Sequence, residues 1–289
     1  MKQPFQIEPV DPTSLPGAAH AAKPATWAQG PSQRTGRPNV VTELAAWRAL
    51  RMSPEWAGRT VGFVPTMGAL HAGHEALLAR ASAENERVVL SVFVNPTQFN
   101  DPADLAKYPR TLEADVELAR RHVDVVLVPA EAELYPDGYR YRASENELSR
   151  VLEGAHRPGH FDGVLTVVLK LFNLVQPTRA YFGEKDWQQL QLVRGMAEAF
   201  FLPLEVVACP TVRDSDGLAL SSRNRRLSPL ARAHAAAFPR VLREAADAAT
   251  AAALLRAKSF DVDYVEDRDG RRLGAVRIEG VRLIDNVQI

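Results

Sequence analysis

The chain has 289 residues, 46% of them hydrophobic and 24% charged, and its 35 basic and 35 acidic side chains leave a formal net charge of zero. That length suits one large domain or two moderate ones, and the balanced charge lacks the basic excess with which nucleic-acid and membrane-surface proteins attract their partners. No apolar run approaches the roughly 18 residues that span a bilayer, and a single cysteine, Cys209, excludes an intrachain disulfide and a multi-cysteine zinc site, which fits a reducing cytoplasm.

The first 38 residues are punctuated by proline and carry neither the apolar centre of a signal peptide nor an Arg-rich amphipathic pattern. Proline lacks an N–H and fixes φ, so a flexible tail is expected over 1–38. Strands are then expected at 60–64 (TVGFV), 88–94 (VVLSVFV), 123–128 (VDVVLV), 180–182 (AYF) and 204–209 (LEVVAC), where Cys209 reads as a small buried residue at a strand end. Segments with helical spacing lie between them at 74–84, 111–121, 164–175 and 187–199. Near-continuous apolar strands alternating with helices indicate an α/β fold, a parallel sheet with helices on both faces, over 39–213. Beyond it, over 214–289, the texture changes to an Ala-rich helical stretch at 229–258 and short strands with turns, which together suggest a smaller C-terminal α+β domain.

In a parallel sheet of this kind ligands bind where strands end and helices begin. The stretch PTMGALHAGH, residues 65–74, occupies such a place. His71 and His74 have the i, i+3 spacing of some metal sites. A glycine-containing turn at a helix start also offers backbone N–H groups and a positive dipole to an anion, or the histidines simply sit in the turn. Lys185 stands in a short polar loop between another strand and helix, with Asp186 as a possible cap of that helix. Ser221, Ser222 and Arg223 suit a phosphate-gripping loop, or a solvated basic loop followed by a helix capped by Ser228. Neither G-x-x-x-x-G-K-[ST] nor G-x-G-x-x-G occurs; the nearest approach, GAHRPGH at 154–160, has histidine in place of lysine.

Six segments in one order carry a resemblance: PTMGALHAGH (65–74), FVNPTQF (93–99), YPRTLEAD (108–115), LEGAHRPGHFDGVLTVVLKLFNLVQP (152–177), YFGEKDWQQLQLVR (181–194) and DGLALSSRN (216–224). Together they closely resemble the pantothenate synthetase family and cover most of 60–226. The resemblance implies a Rossmann-like nucleotidylyltransferase domain, a small C-terminal lid and a cytoplasmic homodimer. It implies condensation of (R)-pantoate with β-alanine through pantoyl adenylate, with ATP and Mg2+ required and AMP and pyrophosphate released. By the same resemblance His71, His74, Lys185 and Arg223 serve catalysis, and no protein residue is a metal ligand. Pro65, Thr66, Met67, Gly68, Gly183, Asp186, Val212, Ser221 and Ser222 join those four around the nucleotide. Met67, Gln98 and Gln189 hold pantoate, while Asn95, Tyr108, Asp115 and Arg157 match a surrounding shell or flap.

The chemistry suits these residue types. The substrate carboxylate is itself the nucleophile, so alignment and positive electrostatics suffice and no activated Ser or Cys is needed. Two departures accompany the resemblance: an unusual N-terminal tail, and a region after SSRN that is shorter than expected. The rival readings are a nucleotidylyltransferase for a different small acid, a non-catalytic ATP-binding protein, and a histidine-based metalloenzyme.

Overall fold

A computed structural model describes residue 34, residues 36–100 and residues 102–289. Most of the expected tail lies outside the described residues. Within it, Arg34 donates to Asp124 at 2.8 Å and to the Glu86 carbonyl at 3.2 Å, and also reaches the Ser82 hydroxyl. The chain is therefore tied down before residue 38, because a buried-edge carboxylate is there to receive a guanidinium.

The chain runs β1 (Asn39–Val41), α1 (Leu44–Arg51), β2 (Val61–Thr66), α2 (Ala72–Glu84), β3 (Arg87–Val92), α3 (Pro102–Ala106), α4 (Leu112–Ala119) and β4 (Val125–Leu127). It continues through α5 (Glu131–Leu134), α6 (Glu153–His156), α7 (His160–Val175), β5 (Arg179–Gly183), α8 (Trp187–Ala199) and β6 (Glu205–Cys209). All six strands are parallel, in the order β1-β4-β3-β2-β5-β6. From β2 the chain steps outward to β3 and β4, then returns to place β5 and β6 on the other side of β2. The carboxyl end of β2 is thus the switch point at which a crevice must open.

Side chains alternate across each strand, so one strand feeds two cores. Phe63, Val89, Val125 and Phe182 face α7 and α8, whereas Val64, Leu90, Val126 and Val207 face α2 and α4. Phe172 of α7 stacks edge-on against Phe63 and Phe182, each at 6.3 Å between ring centres. Truncating such a ring costs about 3–5 kcal/mol, so this contact fixes α7 across the sheet. α7 is apolar on nearly every side, as a helix sandwiched between a sheet and covering loops must be.

The C-terminal part contains α9 (Pro229–Ala235), α10 (Ala237–Glu244), α11 (Ala248–Ala257) and an antiparallel sheet of β7 (Asp261–Arg268), β8 (Arg271–Ile278) and β9 (Val281–Gln288). Two hairpins turn at Asp269–Gly270 and Glu279–Gly280, where all four residues have positive φ. That geometry matches the twist of the flanking strands. Phe238, Leu242, Leu255, Val276 and Leu283 form a separate core between these helices and the sheet.

The expected Ala-rich helix over 229–258 is in fact three helices. Asp247 interrupts it by accepting the Thr250 N–H at 2.7 Å and capping α11, while Pro239 sits in the first turn of α10, where its missing N–H costs nothing. β1 and α1 escaped the sequence reading: three residues and eight residues give too little periodicity to stand out.

Candidate active site

The turn after β2 is built around one buried carboxylate. Gly68 (φ +80°) and Ala69 (φ +53°) reverse the chain, and Asp115 of α4 accepts the N–H groups of Ala69 and Leu70 at 3.0 and 2.7 Å. A side chain at Gly68 would meet Asp115 Oδ2 at 2.9 Å, so only glycine fits between turn and bolt. Gly68 therefore shapes the turn from behind. The Thr66 hydroxyl donates to the Ser91 carbonyl at 2.8 Å and accepts the Gly68 N–H at 3.1 Å, tying the turn to β3.

His71 is the N-cap of α2, and its Nδ1 accepts the Gly73 N–H at 3.1 Å. A Cβ at Gly73 would sit 2.8 Å from the His71 ring, so this glycine makes room for the imidazole. His74 lies one turn further on, its ring centre 4.2 Å from that of His71. Burial, reinforced by Lys185, lowers the His71 pKa to about 4; burial, reinforced by His71, lowers that of His74 to about 3. Both rings are neutral near pH 7. Because Nδ1 of His71 is an acceptor, its proton must sit on Nε2, where it can be donated. His74 Nδ1 is buried with no hydrogen-bond partner among the described residues. Two uncharged donors at a helix N-terminus suit an anion, and the neutral state avoids adding repulsion to the helix dipole.

A cavity of about 250 Å³ opens beside this turn. His71, His74, Pro65, Thr66 and Met67 line it from β2 and α2; Gln98 from the segment after β3; Gly183, Lys185, Asp186 and Gln189 from β5 and α8; and Val212, Ser221, Ser222 and Arg223 from the segment after β6. With the exception of Gly68, the expected nucleotide, substrate and catalytic residues thus converge on one space. It shares Arg157, His160, Lys185 and Arg223 with a neighbouring cavity of about 310 Å³ whose far wall belongs to the C-terminal sheet.

Polarity differs from one end to the other. Toward α2, Lys185 and Arg223 add two cations to the neutral histidines, partly offset by Asp186 at 3.6 Å from Lys185 and Asp104 at 4.0 Å from Arg223. Asp186 precedes α8 yet makes no side-chain capping bond, so its position at the cavity serves something other than the helix. Ser221 instead caps locally, accepting the Arg223 N–H at 3.2 Å, and Ser228 caps α9 by accepting the Ala231 N–H at 3.2 Å. At the other end Gln98 and Met67 stand among Phe93, Val167, Val168 and Leu171. Gln98 Oε1 accepts from Asn95 at 3.0 Å, which fixes the amide, and Nε2 donates to the weakly accepting Met67 sulfur at 3.1 Å. An incoming oxygen would be a better acceptor than that sulfur.

Sequence reasoning overlooked His160 and placed Arg157 only in a surrounding shell or flap. His160 Nδ1 donates to the Gln98 carbonyl at 2.8 Å, and Arg157 donates to the same carbonyl at 3.3 Å and to His160 Nε2 at 3.1 Å. Burial holds His160 neutral, with a pKa lowered to about 3, and lowers that of Arg157 to about 10. Both residues were visible in the GAHRPGH stretch; what was missing was its distant partner. Gln188, next to Gln189, serves the frame, accepting the Glu153 N–H at 3.0 Å and donating to two carbonyls. Among the described residues no group of three His, Cys, Asp or Glu side chains is placed to hold a metal. No helix among them is long and apolar enough to cross a membrane.

The family model for pantoate-beta-alanine ligase matches residues 39–288. The pantothenate synthetase of Bdellovibrio bacteriovorus is 57% identical over 249 residues, covering 86% of this chain and 97% of that protein. That of Legionella pneumophila strain Corby is 53% identical over 250 residues, covering 86% and 98%. A crystal structure of pantoate-beta-alanine ligase from Francisella tularensis, complexed with beta-gamma ATP and beta-alanine, superposes with a TM-score of 0.82 at 39% identity over 87% of this chain and 97% of that one. The pantothenate synthetase of Thermus thermophilus superposes with a TM-score of 0.79 at 46% identity, covering 86% and 99%.

Proposed function

The chain belongs to the pantoate–β-alanine ligase family, enzymes that use ATP to condense pantoate with β-alanine, and from that premise we propose how its cavity performs the reaction. The observation that carries the reading is the meeting of His71, His74, Lys185 and Arg223 with Gln98 and Gln189 in a single cavity at the switch point of the sheet. The phosphates of ATP lie at the α2 end and pantoate lies against Met67, Gln98 and Gln189. A pantoate carboxylate oxygen attacks the α-phosphorus, the bond from that phosphorus to the bridging oxygen breaks, and pyrophosphate leaves with that oxygen. The β-alanine amine then attacks the acyl carbon of pantoyl adenylate and displaces AMP, the amine proton passing to solvent.

Charge builds on phosphate oxygens in the first step. Nε2–H of His71, the His74 ring, and the Lys185 and Arg223 cations are fixed before substrate arrives, so their stabilisation requires little reorganisation. Gln98 orients pantoate because its own amide is held by Asn95, and Gln189 approaches from α8. Val212, Gly183 and the backbone of 65–67 border the nucleotide.

Mg2+ fits as a companion of ATP. Asp186, uncommitted as a cap, is the carboxylate at the cavity that would touch it, the remaining ligands being phosphate oxygens and water, as this small hard ion prefers. When bound it neutralises phosphate charge. The division near residue 213, with the C-terminal part as a lid, is supported by the separate core of that part. A homodimer and a cytoplasmic location rest on the family resemblance, to which the single buried thiol of Cys209 adds compatibility with a reducing compartment.

The test is AMP release from ATP and Mg2+ with pantoate and β-alanine supplied together and then omitted in turn. Turnover that needs both acids supports the reading. Adenylation of another small acid in preference to pantoate would overturn the substrate assignment.

A further inference from the structure

We propose that Asn286, on the last strand of the C-terminal sheet, is a positioning residue for Lys185. The Asn286 amide Nδ2 donates to two successive backbone carbonyls, those of Glu184 at 2.8 Å and Lys185 at 3.0 Å. Its Oδ1 accepts from Arg271 at 2.7 Å. The amide cannot be turned over, because that would point its oxygen at two carbonyl oxygens and its NH₂ at a guanidinium. Arg271 reaches further, donating to the Glu184 carboxylate at 2.9 Å and lying over the Trp187 ring at 4.2 Å from its centre. Two residues of the C-terminal sheet therefore hold Glu184, Lys185 and Trp187, the turn between β5 and α8.

The clamp is itself rigid. Asn286 is buried, and its neighbour Asp285 receives both guanidinium nitrogens of Arg213 at 2.6 and 2.9 Å and the Asn286 N–H at 2.7 Å. Arg213 also donates to the Gly217 carbonyl at 3.0 Å, at the start of the loop that carries Ser221 and Arg223. The end of β9 is thereby bonded to the segments that bring Lys185 and Arg223 into the cavity, and it sits 101 residues from the lysine it positions. A lysine has four rotatable bonds of its own, so the direction of its ammonium is defined only if its backbone is held. Displacement of a reacting group by about 1 Å costs on the order of 100-fold in rate.

This rests on the reading of Lys185 as a cation on the reacting phosphate, and the experiment separates the two. Pantoate-dependent exchange of labelled pyrophosphate into ATP is measured on the full chain for wild type, Asn286→Ala, Lys185→Ala and Val287→Ala, together with thermal melting. Val287 is buried in the C-terminal core and serves as a control for general loosening of the sheet. Asn286→Ala is expected to lower kcat about 10- to 100-fold with the KM for pantoate changed less than about 3-fold. Val287→Ala is expected to melt earlier at unchanged kcat. Arg271→Gln, which loosens the same amide without removing it, is expected to act in the same direction and stands in if Asn286→Ala does not fold. Wild-type kcat in Asn286→Ala, or in Arg271→Gln where that stands in, would overturn the inference, as would an equal loss of kcat in Val287→Ala. A wild-type rate in Lys185→Ala would instead overturn the reading of the lysine.

Discussion

The two sides of the cavity are built by different means. On the α2 side the donors are neutral and their frame is buried within the parallel-sheet domain: Asp115 of α4 bolts the turn through two N–H groups, and His71 is fixed by the glycine two residues later. On the segments after β5 and β6, which face the same end of the cavity, the donors are charged and their frame is remote: Lys185 is held through Asn286 and Arg271, while Arg223 leans toward Asp104 on α3. The difference teaches a division of labour. Neutral donors tolerate a dry, crowded helix start, where a cation would be expelled, whereas cations need room and partners, and so they arrive on segments that the second sheet can hold.

The largest effect should come from the charged side. Lys185→Ala is expected to slow adenylation about 100- to 1000-fold with the melting temperature little changed, as for loss of one preorganised transition-state donor. On the neutral side Asp115→Ala should act through stability first. It strands two buried N–H groups at about 1–3 kcal/mol each, so the melting temperature should drop by several degrees and activity should fall with the turn. If Asp115→Ala melted like wild type, the buried frame would not be what holds the neutral side.

The pH dependence sharpens the contrast further. His160 is buried with a pKa lowered to about 3 from 6.5, so the unfolded chain binds a proton that the folded one refuses. Its contribution to stability is intact above about pH 6.5 and is lost as the pH falls from there toward about 3, at roughly 1.4 kcal/mol per pH unit. Melting curves of His160→Asn should accordingly be less sensitive to acid than those of wild type. The smallest effect belongs to the half-exposed Asp104, which pairs with Arg226 at 3.0 Å as well as facing Arg223. Asp104→Asn should change stability by less than about 1 kcal/mol and should shift the KM for ATP only in low salt.

The turn on the neutral side was legible in the sequence because an apolar strand, Gly68, Gly73 and both histidines lie within residues 61–74, although its bolt, Asp115, comes from α4. Five of the six parallel strands were legible as short, mostly apolar runs separated by segments of helical spacing, while β1, three residues long, was not. What could not be read were the long-range bolts. Nothing in "VRLIDN" announces that Asn286 will meet Lys185, and nothing in "RPGH" tells that His160 will hold the Gln98 carbonyl, because those pairings exist only once the strands are ordered. The space that Gly68 leaves for Asp115, a residue 47 positions later, was equally hidden. The Ala-rich stretch misled in a different way: helix propensity is uniform along it, and the breaks come from single residues such as Asp247 that cap instead of continuing.

The central claim is that His71 and His74 act as neutral donors. The measurement that tests it most directly is a titration of their ring nitrogens by ¹⁵N–¹H NMR in the folded enzyme, from about pH 8 to about pH 5. Both rings should stay neutral throughout, with the His71 proton on Nε2, and gain charge only toward pH 4 and below. A midpoint near the ordinary histidine value for either ring would contradict the account and make that residue a cation at the proposed phosphate site.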